Sequence, residues 1–391
     1  MTVPAAARRR DPALLVRPAV RALAAYHLDR VPCRFKLDQN ECPWEPPRRL
    51  KREAAAALAA ARWARYPDFH GDALRAAVGR RCGWPAGGVL VGNGSNELLA
   101  TALAAVAGAG DEVLGLAPSF GLYPALAERS GARYRALGPR PDLALPLDEL
   151  EAEVERDPRR PVLLCLPNNP TGEAAPPERV ARLAARLDAP LLLDNAYGEF
   201  CRFDYRPLLD EYPNVVLLRT FSKAWGLAGL RLGYLLARPE LVAELVKVKL
   251  PYNLGHAGIA AGRAALAAEA ALGRRVRALI ARRPQWRRLF EDFGLEVAPS
   301  EANFVLVRCG ERAWAIRDGL AARGILVRDV SRGPGLAGCL RVSVGGGAAL
   351  RAVGRALAEI LGGGAPPAEG AGPAAGDPGG SGPAASAEGE P

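Results

Sequence analysis

Lysine is nearly missing from this chain. Of 52 basic residues among 391, only Lys36, Lys51, Lys223, Lys247 and Lys249 are lysines, which leaves 47 arginines. Where a charge alone is wanted the sequence uses arginine, so a lysine in an unusual setting points to a task that a permanently charged guanidinium cannot do, such as attack by a free amine. Histidine is also scarce. His27, His70 and His256 lie too far apart to nominate a metal site. The seven cysteines are scattered, odd in number and never spaced as C-x-x-C, which excludes a zinc ribbon and a disulfide framework and suits a reducing compartment. No apolar run reaches the ~20 residues of a membrane span. The opening "MTVPAAARRRDP" has basic residues without an apolar stretch behind them, so a cytoplasmic location is expected.

The net charge of +10 raises the question of nucleic acid, but the arginines are interleaved with carboxylates along the whole chain rather than blocked. Solvated faces and small anionic substrates account for them, and neither nucleic acid nor membrane is expected as a partner. From about Gly362 onward the sequence is Gly, Pro, Ala and Ser with a few carboxylates, so residues 363–391 read as a disordered tail.

What the chain does have is a series of short, continuous apolar runs between residues 89 and 234. They are "GVLVGNG", "DEVLGLAPSF", "RPVLLCLPNNP", "APLLLDNAY" and "VVLLRTFSK", separated by stretches of helical spacing such as "PPERVARLAARLD". Runs without alternation are strands covered on both faces, and their alternation with helices predicts an α/β fold with a mostly parallel sheet. A long Ala- and Arg-rich helix is predicted over about 256–293. After it come "ANFVLVRC", "GILVRDV" and "CLRVSVG", the strands of a smaller α+β unit completed by the N-terminal arm. The expected organisation is a flexible 1–15, an arm over 16–55, a large domain over 56–290, a small domain over 291–362 and the tail.

In such sheets ligands bind beyond the carboxyl ends of the strands, and that is where the unusual residues cluster. Ser95 and Asn96 open a helix as good N-cap residues, aiming free N–H groups at an anion or merely finishing the helix. Phe120 follows a strand, as a core aromatic or as a ring stacked on a planar ligand. Asn168 and Asn169 precede a proline turn, where an amide serves a ligand or its own backbone. Asp194 ends a fully apolar run, with Tyr197 three residues on. A carboxylate there needs a cationic partner, either an arginine or a protonated pyridine nitrogen. Thr220, Ser222, Lys223 and Arg231 then bring two hydroxyls, an amine and a guanidinium together, which suits a phosphate next to an aldehyde. As a set these groups outline pyridoxal 5′-phosphate.

With "LDQNECPW", "RYPD", "GNGSNELL", "PNNPTG", "DNAY", "SKAWGLAGLRLGY", "SEANF" and "LRVSVG" in place from about Val16 to Gly362, the sequence resembles the fold-type I pyridoxal-phosphate-dependent aminotransferases, and among them the histidinol-phosphate aminotransferase branch. The resemblance implies a large domain whose mostly parallel seven-stranded sheet is sandwiched by helices, plus a smaller α+β domain. It implies that Lys223 is the Schiff-base lysine and catalytic base, and Asp194 the partner of the pyridine nitrogen. Tyr197 and Asn169 would bind the phenolic oxygen. Phe120, where the family often has tyrosine, would stack on the ring, and Ser95, Asn96, Thr220, Ser222 and Arg231 would surround the phosphate. Tyr66 of "RYP" would reach the cofactor of a neighbouring subunit, which implies a homodimer with shared active sites. Arg341 matches the arginine for the substrate's anionic end, Arg328 a second arginine for its phosphate, and Tyr26 a tyrosine near that phosphate, with "AY" replacing the usual "PY". Asn40 lies on the arm over the substrate, or serves as a turn residue.

The expected reaction moves an amino group between a phosphorylated amine, histidinol phosphate, and a 2-oxo acid, 2-oxoglutarate. Three other readings stay open at this point: a broad aromatic aminotransferase, a threonine-phosphate decarboxylase of the same fold, and a non-catalytic regulator built on it. Fewer than about 25 residues precede the arm, short of the ~50 a DNA-binding domain needs, which disfavours the last.

Overall fold

The computed structural model describes residues 11–22 and 31–362. The strands are β1 (Phe35–Leu37), β2 (Val89–Gly92), β3 (Glu112–Leu116), β4 (Arg133–Leu137), β5 (Val162–Cys165), β6 (Leu191–Asp194), β7 (Val215–Thr220), β8 (Gly233–Leu236), β9 (Glu296–Val297), β10 (Phe304–Arg308), β11 (Ile325–Asp329) and β12 (Cys339–Ser343). Seven of them form one sheet in the order β2-β8-β7-β6-β5-β3-β4. Only β8 runs against the rest.

The continuous apolar runs follow from this arrangement. Leu191 and Leu193 point into the core on one face of the sheet while Leu192, between them, points into the core on the other. Successive side chains of a strand face opposite ways, so a strand with helices on both sides has no position to spare for water. β4 announces itself less clearly, because this edge strand reads "RYRAL" and its arginines stay near solvent.

The second sheet, β1-β11-β12-β10-β9, is antiparallel except where β1 joins β11 in parallel. β1, from the N-terminal segment, is therefore an edge strand of this sheet. The predicted single helix over 256–293 is two, His256–Ala267 and Glu269–Glu291. Ala268, at φ −96° and ψ 14°, leaves the helical region and breaks it. Residues 12–15 form a short 3-10 turn. Among the described residues no helix is long and apolar enough to cross a membrane. The tail and Tyr26 lie outside the described residues.

Candidate active site

Five chain segments reach the same end of the large sheet. β2 leads into the helix Ser95–Val106, β3 into Phe120, β5 into Asn169, β6 ends in Asp194 and β7 in Thr220. This is the carboxyl edge, where a doubly covered sheet leaves room for a ligand.

The helix after β2 is capped by Gly94 rather than by Ser95, and no side chain caps it. Gly94 sits at φ 83°, and a Cβ there would lie 2.7 Å from the Arg231 guanidinium. Glycine suits the position because its φ is one that side chains rarely adopt, and the guanidinium crosses the helix start beside it. Ser95 and Asn96 thus occupy the first turn, whose N–H groups have no partner within the helix and present positive dipole. Arg231, itself left-handed at φ 47°, donates to Ser222 Oγ at 3.3 Å and to the Ala228 carbonyl at 3.0 Å. The Thr220 hydroxyl donates to Ser222 Oγ at 3.0 Å and accepts from the Ser222 N–H at 3.1 Å. Two hydroxyls, a guanidinium and a helix N-terminus converge, which is the donor set a phosphate monoester takes.

Deeper in, Asp194 is buried at the end of β6. Its Oδ2 accepts from the Tyr123 hydroxyl at 2.8 Å and its Oδ1 from the Ala196 N–H at 3.2 Å. Burial pushes this carboxyl above its ordinary range, against the pull of those two donors and of Lys223. Lys223 Nζ donates to the Gln39 carbonyl at 2.8 Å. Its enclosure, with Arg341 and Arg231 adding repulsion and Glu41 opposing them, lowers the amine from 10.5 to about 7. A lysine near neutrality is half unprotonated at working pH, which a nucleophile and base requires.

The two adjacent asparagines differ in their partners. Asn168 is turn chemistry: its amide donates to the Pro118 carbonyl and to Thr171 Oγ1, both at 2.9 Å. Asn169 faces the site, where its Oδ1 accepts from Arg341 Nη1 at 2.6 Å. Arg341 Nη2 donates to the Asp38 carbonyl at 2.6 Å. Across the ladder Arg328 is the register partner of Arg341. Residues so paired share a face with Cβ atoms about 5 Å apart, and like charges there repel unless an anion lies between them.

Asn40, on the arm, is a left-handed turn residue at φ 56°, 1% exposed. Its amide donates to the Tyr197 hydroxyl at 3.0 Å, its N–H donates to Ser343 Oγ at 2.9 Å and its carbonyl accepts from Asn303 at 3.0 Å. Burial raises the Tyr197 phenol, keeping it protonated. Phe120 meets Tyr123 edge-on, at 5.5 Å between centroids. Tyr66 is not with the others. It is 77% exposed, stacked on Tyr252 at 4.3 Å.

Sequence reasoning missed Tyr123, although its place three residues after Phe120 in "SFGLYPAL" put it at the same strand end. It also missed the arm's carbonyls at Asp38 and Gln39, for which side-chain types give no signal. No group of three or more His, Cys, Asp or Glu able to hold a metal occurs among the described residues.

A buried carboxylate, an amine near neutrality and a donor set suited to a phosphate fit pyridoxal phosphate, and together with this fold they point to the class of transferases that use it. The family model of class I and II aminotransferases matches residues 34–357. A histidinol-phosphate aminotransferase of Gloeobacter violaceus is 41% identical over 334 residues, 84% of this chain and 93% of that one. One from Caldanaerobacter subterraneus is 35% identical over 89% of this chain and 99% of its own. The crystal structure of histidinol-phosphate aminotransferase from Sinorhizobium meliloti in complex with pyridoxal-5′-phosphate superposes with a TM-score of 0.80 at 29% identity, covering 88% of this chain and 97% of that one. The chain belongs to the class I and II aminotransferases, in the histidinol-phosphate aminotransferase branch, and is a pyridoxal-phosphate-dependent transaminase.

Proposed function

We propose that the chain exchanges the amino group of histidinol phosphate with 2-oxoglutarate, giving imidazole-acetol phosphate and glutamate, a step of histidine biosynthesis. The observation that carries the substrate choice is Arg328 facing Arg341 across one pair of the β11–β12 ladder, beside Asn169. Arg341 accepts a phosphate in one half-reaction and a carboxylate in the other, and Arg328 adds a second guanidinium for the phosphate.

When bound, pyridoxal phosphate supplies an aldehyde for amine exchange and a cationic ring that accepts the electrons of the substrate's Cα–H bond. Asp194 holds the proton at the ring nitrogen. Asn169, whose Oδ1 is taken by Arg341, turns its amide N–H₂ to the phenolic oxygen, and the Tyr197 hydroxyl donates to the same atom. Ser95, Asn96, Thr220, Ser222 and Arg231 anchor the phosphate, and Phe120 covers the ring. The Lys223 amine, lowered to about 7, would serve as the base that takes the substrate's Cα proton. Arg341 and Arg328 fix the anionic end, with Asn40 on the arm above them.

The exposed cluster of Tyr66, Phe69 and Tyr252 supports a homodimer in which Tyr66 reaches the partner's cofactor, since exposed aromatic clusters mark interfaces, and the free cysteines suit a cytoplasmic location. The same reading assigns the seven-stranded sheet to a large domain over 56–290 and the five-stranded sheet to a small domain over 291–362 with the arm. The test is a side-by-side assay of histidinol phosphate, phenylalanine and threonine phosphate with 2-oxoglutarate. Histidinol phosphate gives the highest kcat/KM. Preference for phenylalanine, or carbon dioxide release from threonine phosphate, overturns the choice.

A further inference from the structure

The Tyr123 hydroxyl has no part in the roles assigned so far, yet it makes the shorter of the two bonds to Asp194, 2.8 Å against 3.2 Å from the Ala196 N–H. The two residues come from different segments. Tyr123 opens the helix Tyr123–Ser130 after β3, whereas Asp194 ends β6, and β5 lies between those strands. The hydroxyl thus reaches past the end of β5, where Cys165 is the register partner of Asp194. Tyr123 is 0% exposed, held edge-on by Phe120 at 5.5 Å and flanked by Tyr134 at 6.3 Å. The Cys165 thiol lies against the phenol but gives its own proton to the Pro167 carbonyl at 3.2 Å. A phenol so fixed, and so desolvated that it stays protonated, is a permanent donor aimed at one carboxylate oxygen.

A carboxylate facing a pyridine nitrogen out of water has two ways to share one proton. Either the nitrogen carries it, leaving an ion pair, or the carboxylate takes it, leaving two neutral groups. Desolvation favours the neutral pair, and Asp194 is already pushed towards protonation. The neutral ring accepts electrons poorly. A hydroxyl donating to the anion tips the balance back, because hydrogen bonding to the charged form stabilises that form.

We propose that Tyr123 is a positioning residue that keeps Asp194 a carboxylate, so that the shared proton resides on the cofactor's ring nitrogen. The only change on its loss is transfer of that proton from nitrogen to an Asp194 oxygen. The inference rests on the reading that Asp194 faces the ring nitrogen, and the experiment separates the two.

Holoenzyme is prepared with pyridoxal phosphate carrying ¹⁵N in its ring, and the nitrogen resonance, which differs widely between protonated and neutral rings, is recorded at one pH. Wild type gives the protonated position and Asp194→Asn the neutral one. Tyr123→Phe, the same ring without its hydroxyl, moves toward the neutral position and lowers kcat by about tenfold or more, the worth of one hydrogen bond to a charged group. Its KM stays within about twofold, because no substrate contact is removed. Tyr123→His, which offers a ring N–H in place of the hydroxyl, keeps the wild-type resonance. That variant decides the matter if the phenylalanine one fails to load cofactor. Tyr123→Phe at the wild-type position, or both variants at the neutral position, overturns the role of Tyr123. An Asp194→Asn resonance that stays protonated overturns instead the pairing on which the inference stands.

Discussion

A lysine kept near neutrality inside a protein should weigh on the fold that encloses it. Lys223 falls from 10.5 to about 7 chiefly through burial, while an unfolded lysine titrates near 10.4. At 1.36 kcal/mol per pKa unit the penalty has a ceiling of about 5 kcal/mol, and partial exposure of the side chain trims it to roughly 2–4 kcal/mol. The sign is fixed by linkage. The folded pKa lies below the unfolded one, so between about pH 7 and 10.5 the unfolded chain binds more protons and stability rises with pH. Below about pH 7 the full penalty stays in force. Lys223→Met in the cofactor-free protein removes it, so urea unfolding at pH 6.5 shows the variant more stable by about 2–4 kcal/mol, and at pH 10 the gain shrinks towards zero. Packing changes are pH-independent and cancel between the two measurements. An equal gain at both pH values, or none at either, refutes the reasoning.

Glu199 and Arg219, at 9% and 8% side-chain exposure, form a buried ion pair at 2.9 Å. Glu199→Ala strands the guanidinium and lowers unfolding free energy by about 3–5 kcal/mol in urea titration. Arg328→Met raises KM for histidinol phosphate by about 10–100-fold, the loss of a charge-assisted contact, and leaves the glutamate half-reaction nearly unchanged; Arg341→Met damages both in single-turnover assays of each half. Mixing Lys223→Ala and Tyr66→Ala proteins, each inactive alone, restores about a quarter of wild-type activity if sites are shared between subunits, since half of the dimers then hold one intact site. No recovery after subunit exchange, verified by sedimentation, removes the case for sharing.

Most of the architecture was readable because its signals are local. Uninterrupted apolar runs mark strands buried on two faces, and Asp194, Thr220 and Asn169 stand where those runs stop. The parts that were not readable depend on distant approach. Gly94 caps the helix in place of Ser95 at a positive φ, with a guanidinium from 137 positions downstream lying across it. The break at Ala268 sits in a run of good helix formers, and no residue type there announces it. Asp38 and Gln39 act through carbonyls, which every residue possesses. Tyr123 looks like any core aromatic until the strand order places it beside Asp194.

The arm also sets a timetable for synthesis. β1 has no sheet to join until β11 has been made nearly three hundred residues later, and the Asn40 N–H waits for Ser343 across 303 positions. The large sheet can assemble while the ribosome is still translating, since its strands all precede Pro239. The pocket cannot. Its last wall closes only when β12 comes free, so an unfinished polypeptide carries a formed cofactor floor beneath an open roof.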